Sequence, residues 1–312
     1  MIVKWQMKAI AQKAISFFPK KEKINYWFQK NITKGVTLTD EYFEYKITHA
    51  SDHLRFFKTY SDKDLKGCTV LELGTGWYPI VPIALFLSDL KNIFTLDLSN
   101  WMSKESLKIT CNKFIEWRQK GELKKFLPII NEENWNTLKI LAMDNQEGLN
   151  SMCQQLNLNN WIGDAKNTTF EANYIDLICS NNTFEHIPKT VLNSILIEFK
   201  RVIRPNGVMS HFIDMSDHFA HFDQSINIYN FLRFSDQAWG WIDNSIQPQN
   251  RMRFKDYKEI YRKLMIPITD EEIREGSIEA LKEIPLASKF GNYKLEELAI
   301  SHGYIISKMD KK

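Results

Sequence analysis

The run Val70-Leu71-Glu72-Leu73-Gly74-Thr75-Gly76-Trp77 constrains this chain more than any other stretch. An apolar segment with one acid, broken by two glycines and followed by a helix-like stretch, predicts a buried parallel strand, a tight turn and a helix start. Glycines one residue apart let the backbone come close to a ligand and expose N–H groups at the positive end of the following helix. Glu72 stands near the carboxyl end of a strand expected to be buried, where an unpaired charge is costly, so a cationic ligand group would satisfy it. The dinucleotide fingerprint G-x-G-x-x-G wants a third glycine where this chain has Pro79, so the two glycines alone do not point to a dinucleotide.

The stretch resembles the first motif of the class I S-adenosylmethionine (SAM)-dependent methyltransferases, hydrophobic-x-(Glu/Asp)-x-Gly-x-Gly. The resemblance implies that Glu72 faces the methionine amine of the cofactor, usually through water, and that the cofactor lies along Gly74, Thr75 and Gly76. The chain departs from the family at Tyr78, where many members have a third glycine, with Trp77 and Pro79 beside it, which leaves the local loop shape open.

Further along, Asn92-Ile93-Phe94-Thr95-Leu96-Asp97 reads as an apolar strand ending in an acid about 21 residues beyond Gly76. A carboxylate there can accept both hydroxyls of a ribose, in NAD or in SAM equally. Trp161-Ile162-Gly163-Asp164-Ala165 reads as a short strand ending in Gly-Asp, and the resemblance puts Asp164 at the adenine amino group. Leu98 and Ala165, beside these two acids, join the expected cofactor contacts.

Tyr174-Ile175-Asp176-Leu177-Ile178-Cys179-Ser180 predicts the next strand, followed by Asn181-Asn182-Thr183-Phe184-Glu185-His186. A helix over 189–202, a turn at Arg204-Pro205-Asn206-Gly207 and a strand over 208–214 complete the block. It resembles the second half of the methyltransferase core and separates SAM from NAD, with Ser180 and Asn181 as further cofactor contacts. The resemblance covers about residues 68–98 and 160–214, plus a closing strand at 304–309. It implies an α/β fold, a Rossmann-like, seven-stranded, mostly parallel sheet, with an N-terminal helical cap and a lid insertion after the fifth strand.

At 312 residues the chain is longer than a minimal α/β domain, so one core with additions is expected. The expected divisions are a helical cap at 1–65, a SAM-binding core at 66–214 with a helical insertion at about 101–158, a lid or substrate insertion at 215–285, and closing strands at 286–312. Trp117 and Trp135 are the expected anchors of the helical insertion. Forty-one Lys and Arg against 38 Asp and Glu leave +3, which gives no support to a nucleic-acid partner. Cys68, Cys111, Cys153 and Cys179 form no C-x-x-C pair and read as buried free thiols in a reducing cytoplasm.

Val3, Met7, Ile10, Ala14 and Phe17 fall on one helical stripe, ended by Pro19 and Lys20-Lys21-Glu22-Lys23. This helix is expected to pack on the core, with peripheral membrane contact as the minority reading. Lys4, Lys8 and Lys13 interrupt its apolar part, so it does not read as a secretory signal. Further helices are expected at about 24–30 and 41–60, and no stretch reaches the roughly 18–20 apolar residues of a membrane span.

Methyl transfer from a sulfonium is an in-line displacement, so alignment and exclusion of water matter most, with a base needed if the nucleophile is a hydroxyl. Candidates past the fourth and fifth strands are Asn181, Asn182, Glu185, His186, His211, Asp214, Asp217 and His218. His211 is the first choice for a base, with Asp214 as its orienter, and His186 the second. The alternative is that His211 is a core histidine with a hydrogen-bond partner. The stretch 211–223 holds three histidines and three aspartates besides its apolar residues, yet no compact metal-ligand motif, and no metal is expected.

Substrate contacts are assigned to His53, Trp239, Arg251 and Arg253. The two arginines would grip a phosphate or carboxylate and the tryptophan would stack on a sugar or aryl ring. The expected activity is SAM-dependent methylation of a small-molecule or glycan-like acceptor, most plausibly at oxygen. The alternative is a catalytically silent SAM-fold protein that binds a partner, and a nicotinamide-dependent oxidoreductase ranks last.

Overall fold

A computed structural model describes residues 4–18 and 37–310. Seven strands form one sheet in the order β3-β2-β1-β4-β5-β7-β6. They are β1 Thr69–Leu73, β2 Asn92–Asp97, β3 Leu158–Ile162, β4 Ile175–Asn181, β5 Ile203–Asp214, β6 Asp270–Arg274 and β7 His302–Lys308. The first five are parallel, and β7 enters antiparallel between β5 and β6. The expected mostly parallel, seven-stranded sheet is therefore observed.

Side-chain alternation divides the core between the two faces of the sheet. Val70, Leu177, Val208 and Ile306 point to one face, and Leu71, Ile178, Met209 and Ile305 to the other. The first face is covered by α2 (Asp40–Tyr60), α3 (Ile80–Leu87), α4 (Lys104–Gln119), α5 (Glu132–Met143) and α6 (Leu149–Gln155). The second is covered by α7 (Lys189–Val202) and α9 (Phe254–Lys263). Burial on both faces explains why β1 and β4 are unbroken apolar runs apart from Glu72, Asp176 and their ends. Trp117 and Trp135 are buried in the first face, as are Cys68, Cys111, Cys153 and Cys179 in the interior, all as free thiols.

Strand order reverses at β1, which has β2 on one side and β4 on the other. Loops leaving the carboxyl ends of β1 and β4 splay apart at such a point and leave a crevice. Helix α2 is fixed over this end by buried polar contacts. His49 Nδ1 meets the Tyr304 hydroxyl, and His53 bridges Ser210 Oγ (2.8 Å) and Asn181 Oδ1 (2.9 Å).

Several expectations need correction. Helix α1 (Lys4–Ser16) does not bury its predicted stripe. Trp5, Ala9 and Gln12 face inward, whereas Met7, Ile10, Phe17 and Phe18 are 54–78% exposed. Trp5 packs against Phe219 and Phe234, so the helix docks on the segment after β5 rather than on the sheet. The third strand ends at Ile162, which leaves Gly163 and Asp164 in the following turn. Part of the stretch 215–285 belongs to the sheet: α9 covers one face, and β6, with the acidic sequence Asp-Glu-Glu-Ile-Arg, is its exposed edge. An edge strand with charged side chains lacks the apolar alternation by which strands are read, and the charge discourages further pairing. The helix expected at 24–30 lies outside the described residues.

No helix among the described residues is long and apolar enough to cross a membrane.

Candidate functional site

Gly74 and Gly76 both have positive φ, +82° and +72°. At Gly74 a Cβ would lie 2.3 Å from Thr183 Oγ1, so the loop after β4 presses directly on the turn after β1 and no side chain fits. The Gly74 N–H donates to the Leu96 carbonyl at 3.0 Å, and that of Gly76 to Asp97 Oδ2 at 3.3 Å. The turn thus ties the ends of β1 and β2 together and faces Asp97 toward the crevice.

Two cavities meet there. The first, about 540 Å³, is walled by Leu73, Gly74, Leu96, Asp97 and Leu98, by Gly163, Asp164 and Ala165, and by Asn182, Thr183 and His186. Ser245, Ile246, Gln247 and Pro248 close it from the segment after β5. The second, about 460 Å³, is lined by Lys189, Trp239, Asp243, Arg251, Phe290 and Tyr293, among others. His186, Pro188 and Pro248 belong to both.

The acids at the first cavity carry the marks of burial. Glu72, 3% exposed, is pushed up to about 7 by desolvation, although the Thr75 hydroxyl donates to it at 2.5 Å and Lys46 favours its charge. Asp97 is pushed up to about 6 for the same reason, against the pull of the Gly76 and Thr75 backbone N–H groups. Asp164 is half exposed, paired with Lys166 at 3.0 Å, and its carboxyl is lowered mainly by the Lys166 backbone N–H. Gly74, Asp97, Leu98, Asp164, Ala165 and His186 therefore share one cavity, with Glu72, Thr75 and Gly76 immediately behind the turn.

The other sequence candidates lie elsewhere. Ser180 and Asn181 are buried in the sheet, Ser180 bonded to His211 and Asn181 to His53, and neither lines the cavity. His53 is fully buried, held down to about 4 by desolvation, and joins α2 to the sheet instead of reaching a substrate. His211 is sealed between Phe184 and Phe199, with ring centroids 4.4 and 6.0 Å away, and Nδ1 is 2.8 Å from Ser180 Oγ. Burial holds it down to about 3, so His211 is the core histidine of the alternative reading.

Asp214 does not orient His211. Its carboxylate meets His218 (3.4 Å), His302 (3.3 Å) and the Ser216 N–H (2.8 Å). Burial opposes its charge, but hydrogen bonds from His218, His221 and His302 hold the carboxyl well below the usual range.

The two arginines are already occupied. Arg253 donates to the carbonyls of Met215 (2.6 Å), Leu298 (2.8 Å) and Ile300, inside the protein. Arg251, itself at φ +59°, donates to the Phe231 and Phe234 carbonyls and to Asp236. Trp239 donates to the Gln249 carbonyl at 3.0 Å and shows part of its surface to the second cavity.

His186 differs from the other histidines. It stands on the wall shared by both cavities, with Nδ1 donating to the Pro248 carbonyl at 2.6 Å, which fixes Nε2 as the ring's lone pair. Burial, followed by the neighbouring His218, holds it down to about 4. Sequence reasoning missed Pro248 and Lys46. Lys46 Nζ lies 3.5 Å from the Asn181 carbonyl, and its charge bears on Glu72, Asp97 and Glu185. Neither sits in a recognisable motif. A signal for Lys46 was its place on a helix that also carries buried histidines.

Residues 125–210 match the model of a family described as a methyltransferase domain. That match takes in β3, β4, α7 and most of β5, and not the glycine turn. No curated protein matches the chain. Among solved structures, a provisionally assigned sarcosine dimethylglycine methyltransferase from Galdieria sulphuraria is 14% identical, with 85% of each chain covered and a TM-score of 0.45. Phosphoethanolamine N-methyltransferase 2 of Haemonchus contortus, in complex with phosphomonomethylethanolamine and S-adenosylhomocysteine, is 13% identical, with 83% of this chain and 52% of that one covered and a TM-score of 0.44. A provisionally assigned methyltransferase from Bacillus halodurans is 12% identical, with 84% and 100% covered and a TM-score of 0.43.

Proposed function

We propose that this chain is a class I SAM-dependent methyltransferase and that it methylates a small-molecule or glycan-like acceptor at oxygen, the acceptor meeting His186 from the second cavity. SAM is the cofactor, and when bound it supplies a methyl group on a sulfonium.

The first cavity suits SAM. The Gly74 turn admits no side chain, so the backbone itself faces the ligand. On its wall, Asp97 offers two acceptor oxygens to a ribose diol and Asp164 an acceptor to the adenine amino group, while Glu72, buried behind the turn and outside the wall, offers a carboxylate to an ammonium group through water. Ser245 to Pro248 exclude water from above, the part expected of a lid.

The observation that carries the acceptor side is His186, which belongs to both cavities and turns its Nε2 lone pair away from the Pro248 carbonyl. A lone pair at that junction can take the proton of a hydroxyl, the base that methylation at oxygen needs. The catalytically silent alternative is not favoured, since both cofactor acids, Glu72 and Asp97, are present and face the turn.

The test is isothermal titration with S-adenosylhomocysteine, then transfer of labelled methyl from SAM to a panel of hydroxyl and amine acceptors. Micromolar binding lost in Asp97→Ala, with label in an ether-linked product, supports the reading. Label in amines alone overturns the oxygen assignment.

The outward stripe of α1, Met7, Ile10, Phe17 and Phe18, supports a second partner, an anionic lipid surface. Co-sedimentation with phosphatidylserine vesicles, lost in Met7→Glu/Ile10→Glu, tests it. Equal pelleting of both proteins removes it.

A further inference from the structure

Glu185 carries a buried carboxyl group that the cofactor side of the cavity does not explain. Its side chain is 2% exposed and neither carboxyl oxygen has a hydrogen-bond partner. Leaving two such oxygens unmatched in the interior is costly, and a group so placed calls for a cation or a proton. Candidate ligand atoms of His186 and His218 lie nearby: all three residues offer one atom within 4.8 Å of the other two.

The surroundings hold these three groups in position. The loop before α9 is stitched to the turn after β4, with the Asn250 N–H donating to the Glu185 carbonyl and its Nδ2 to the Phe184 and Ile187 carbonyls, all at 2.8 Å. The Pro248 carbonyl takes the Nδ1 proton of His186 and leaves Nε2 free, the arrangement by which a backbone carbonyl orients a metal-binding imidazole. His218 is held from behind by Asp214, whose carboxylate lies 3.4 Å from His218 Nε2, while Nδ1, the nitrogen left for a metal, meets Gln247 Nε2 at 3.5 Å. The rings of His186 and His218 meet edge to face, at a centroid distance of 5.0 Å and an interplanar angle of 63°.

We propose that Glu185, His186 and His218 bind a divalent transition-metal cation beside the junction, His186 being the one of the three on the wall of both cavities, and that this cation takes the His186 Nε2 lone pair and in its place becomes the contact that holds the acceptor hydroxyl. Two imidazoles and one carboxylate suit the borderline ions from Mn²⁺ to Zn²⁺ rather than Mg²⁺ or Ca²⁺, which prefer an all-oxygen set. Three protein ligands leave positions open for an exogenous oxygen. Ligands about 2.1 Å from a shared ion sit roughly 3.0–3.5 Å apart, so closing on one takes only side-chain adjustment from the separation observed.

An acceptor hydroxyl bound at an open position would have its pKa lowered as bound water does, and would release its proton to solvent water. That would replace the protein base that the sequence seeks in His211. The cation site stands independently of the acceptor. Its role in holding the acceptor rests on the reading proposed above.

The test uses the full chain, tag removed, stripped with EDTA and titrated with CoCl₂, MnCl₂ and ZnCl₂ without SAM or any acceptor. One equivalent per chain is expected, with Co²⁺ giving the visible d–d bands of nitrogen and oxygen ligation. Glu185→Gln, which keeps size and shape, and His218→Ala should each weaken binding by at least roughly 100-fold, and Asp214→Asn by roughly 10-fold. Circular dichroism and S-adenosylhomocysteine affinity are measured on each variant, so a loss of metal is read only on folded protein. Less than one equivalent of every ion, or equal uptake by parent and Glu185→Gln, overturns the site and leaves Glu185 a protonated buried acid. S-adenosylhomocysteine binding without metal binding would sink this inference alone, and the absence of S-adenosylhomocysteine binding would sink the cofactor reading alone.

Discussion

The two cavities that meet at His186 are built from opposite kinds of material. The first is walled by strand ends, where a few consecutive residues supply backbone turn and acid together: Leu73 and Gly74, Leu96 to Leu98, Gly163 to Ala165. Asp97 on its wall and Glu72 behind it are poorly solvated, which is why both are pushed upward, whereas Asp164 is half exposed and paired with Lys166. The second is walled by a segment rich in aromatic and charged side chains, yet its strongest donors are consumed by the protein. Arg251, on its wall, donates to two backbone carbonyls, and Arg253, buried outside the wall, to three more. The difference teaches that unspent polarity, rather than polarity as such, marks a place for a ligand.

The largest effect expected from this contrast is on stability. Arg253 is fully buried, and removing it strands the carbonyls of Met215, Leu298 and Ile300. Arg253→Ala should cost about 3–5 kcal/mol in urea denaturation, while protein that remains folded binds S-adenosylhomocysteine as before. A variant as stable as the parent but with a raised KM for acceptor would return Arg253 to substrate binding and erase the difference between the cavities.

Asp97 sharpens the other side of it. Its carboxyl rises from 3.8 in the reference state to about 6 in the fold. Between those values the folded chain holds a proton that the unfolded chain has lost, so this group's contribution to stability is full below the lower value and is lost as pH rises through the upper one. A shift of this size is worth about 3 kcal/mol, and Asp97→Asn should flatten that part of the stability profile. Affinity for S-adenosylhomocysteine should run the opposite way, strengthening as pH rises through about 6, because a ribose diol donates to the ionised form. Parallel slopes for stability and affinity would mean that Asp97 is not the ribose acid.

At fixed neutral pH, Asp97→Ala should weaken S-adenosylhomocysteine binding about 10- to 100-fold, the loss of one or two hydrogen bonds to a charged group, with little loss of stability. Calorimetric titration and thermal melting on the same samples separate the two. A melting temperature that falls in step with affinity would show the acid to be structural.

The same contrast explains what could be read from the amino-acid order. A strand that ends in a turn brings its polar groups to one place by covalent adjacency, so the meeting of Gly74, Asp97 and Asp164 at one cavity was legible from spacing and resemblance. The strand pattern was legible wherever both faces are buried, and failed at β6, whose residues are acidic and exposed. Helix α1 misled because its apolar stripe is real and points outward, while Trp5 and Ala9 bind the segment after β5. By contrast, Glu185, His186, His218 and Pro248, which the fold gathers near the junction, come from three places in the chain. Their meeting depends on how residues 215–250 fold back over the turn after β4, a tertiary fact with no local pattern.

His211 is the smallest expected effect: its ring is packed and sealed from the crevice, although its Nε2 is buried without a hydrogen-bond partner. It lies in β5 beside the crevice, which made it attractive as a base, but its ring is stacked on Phe184 and Phe199 and its Nδ1 is committed to Ser180. His211→Phe keeps an aromatic ring between the same neighbours and leaves one buried hydroxyl without its partner, a cost of about 1 kcal/mol. A general base removed from a methyl transfer that needs one lowers the rate by roughly 10²- to 10⁴-fold. Turnover within about twofold of the parent, with a slightly lower denaturation midpoint, is therefore expected, since the change touches packing and not chemistry. An independent check requires no acceptor: with its ring held down to about 3, His211 should show no titration in NMR spectra across the neutral range. A titrating His211, or a hundredfold loss of turnover in His211→Phe, would mean that the crevice opens further toward β5 than its packed aromatic wall allows.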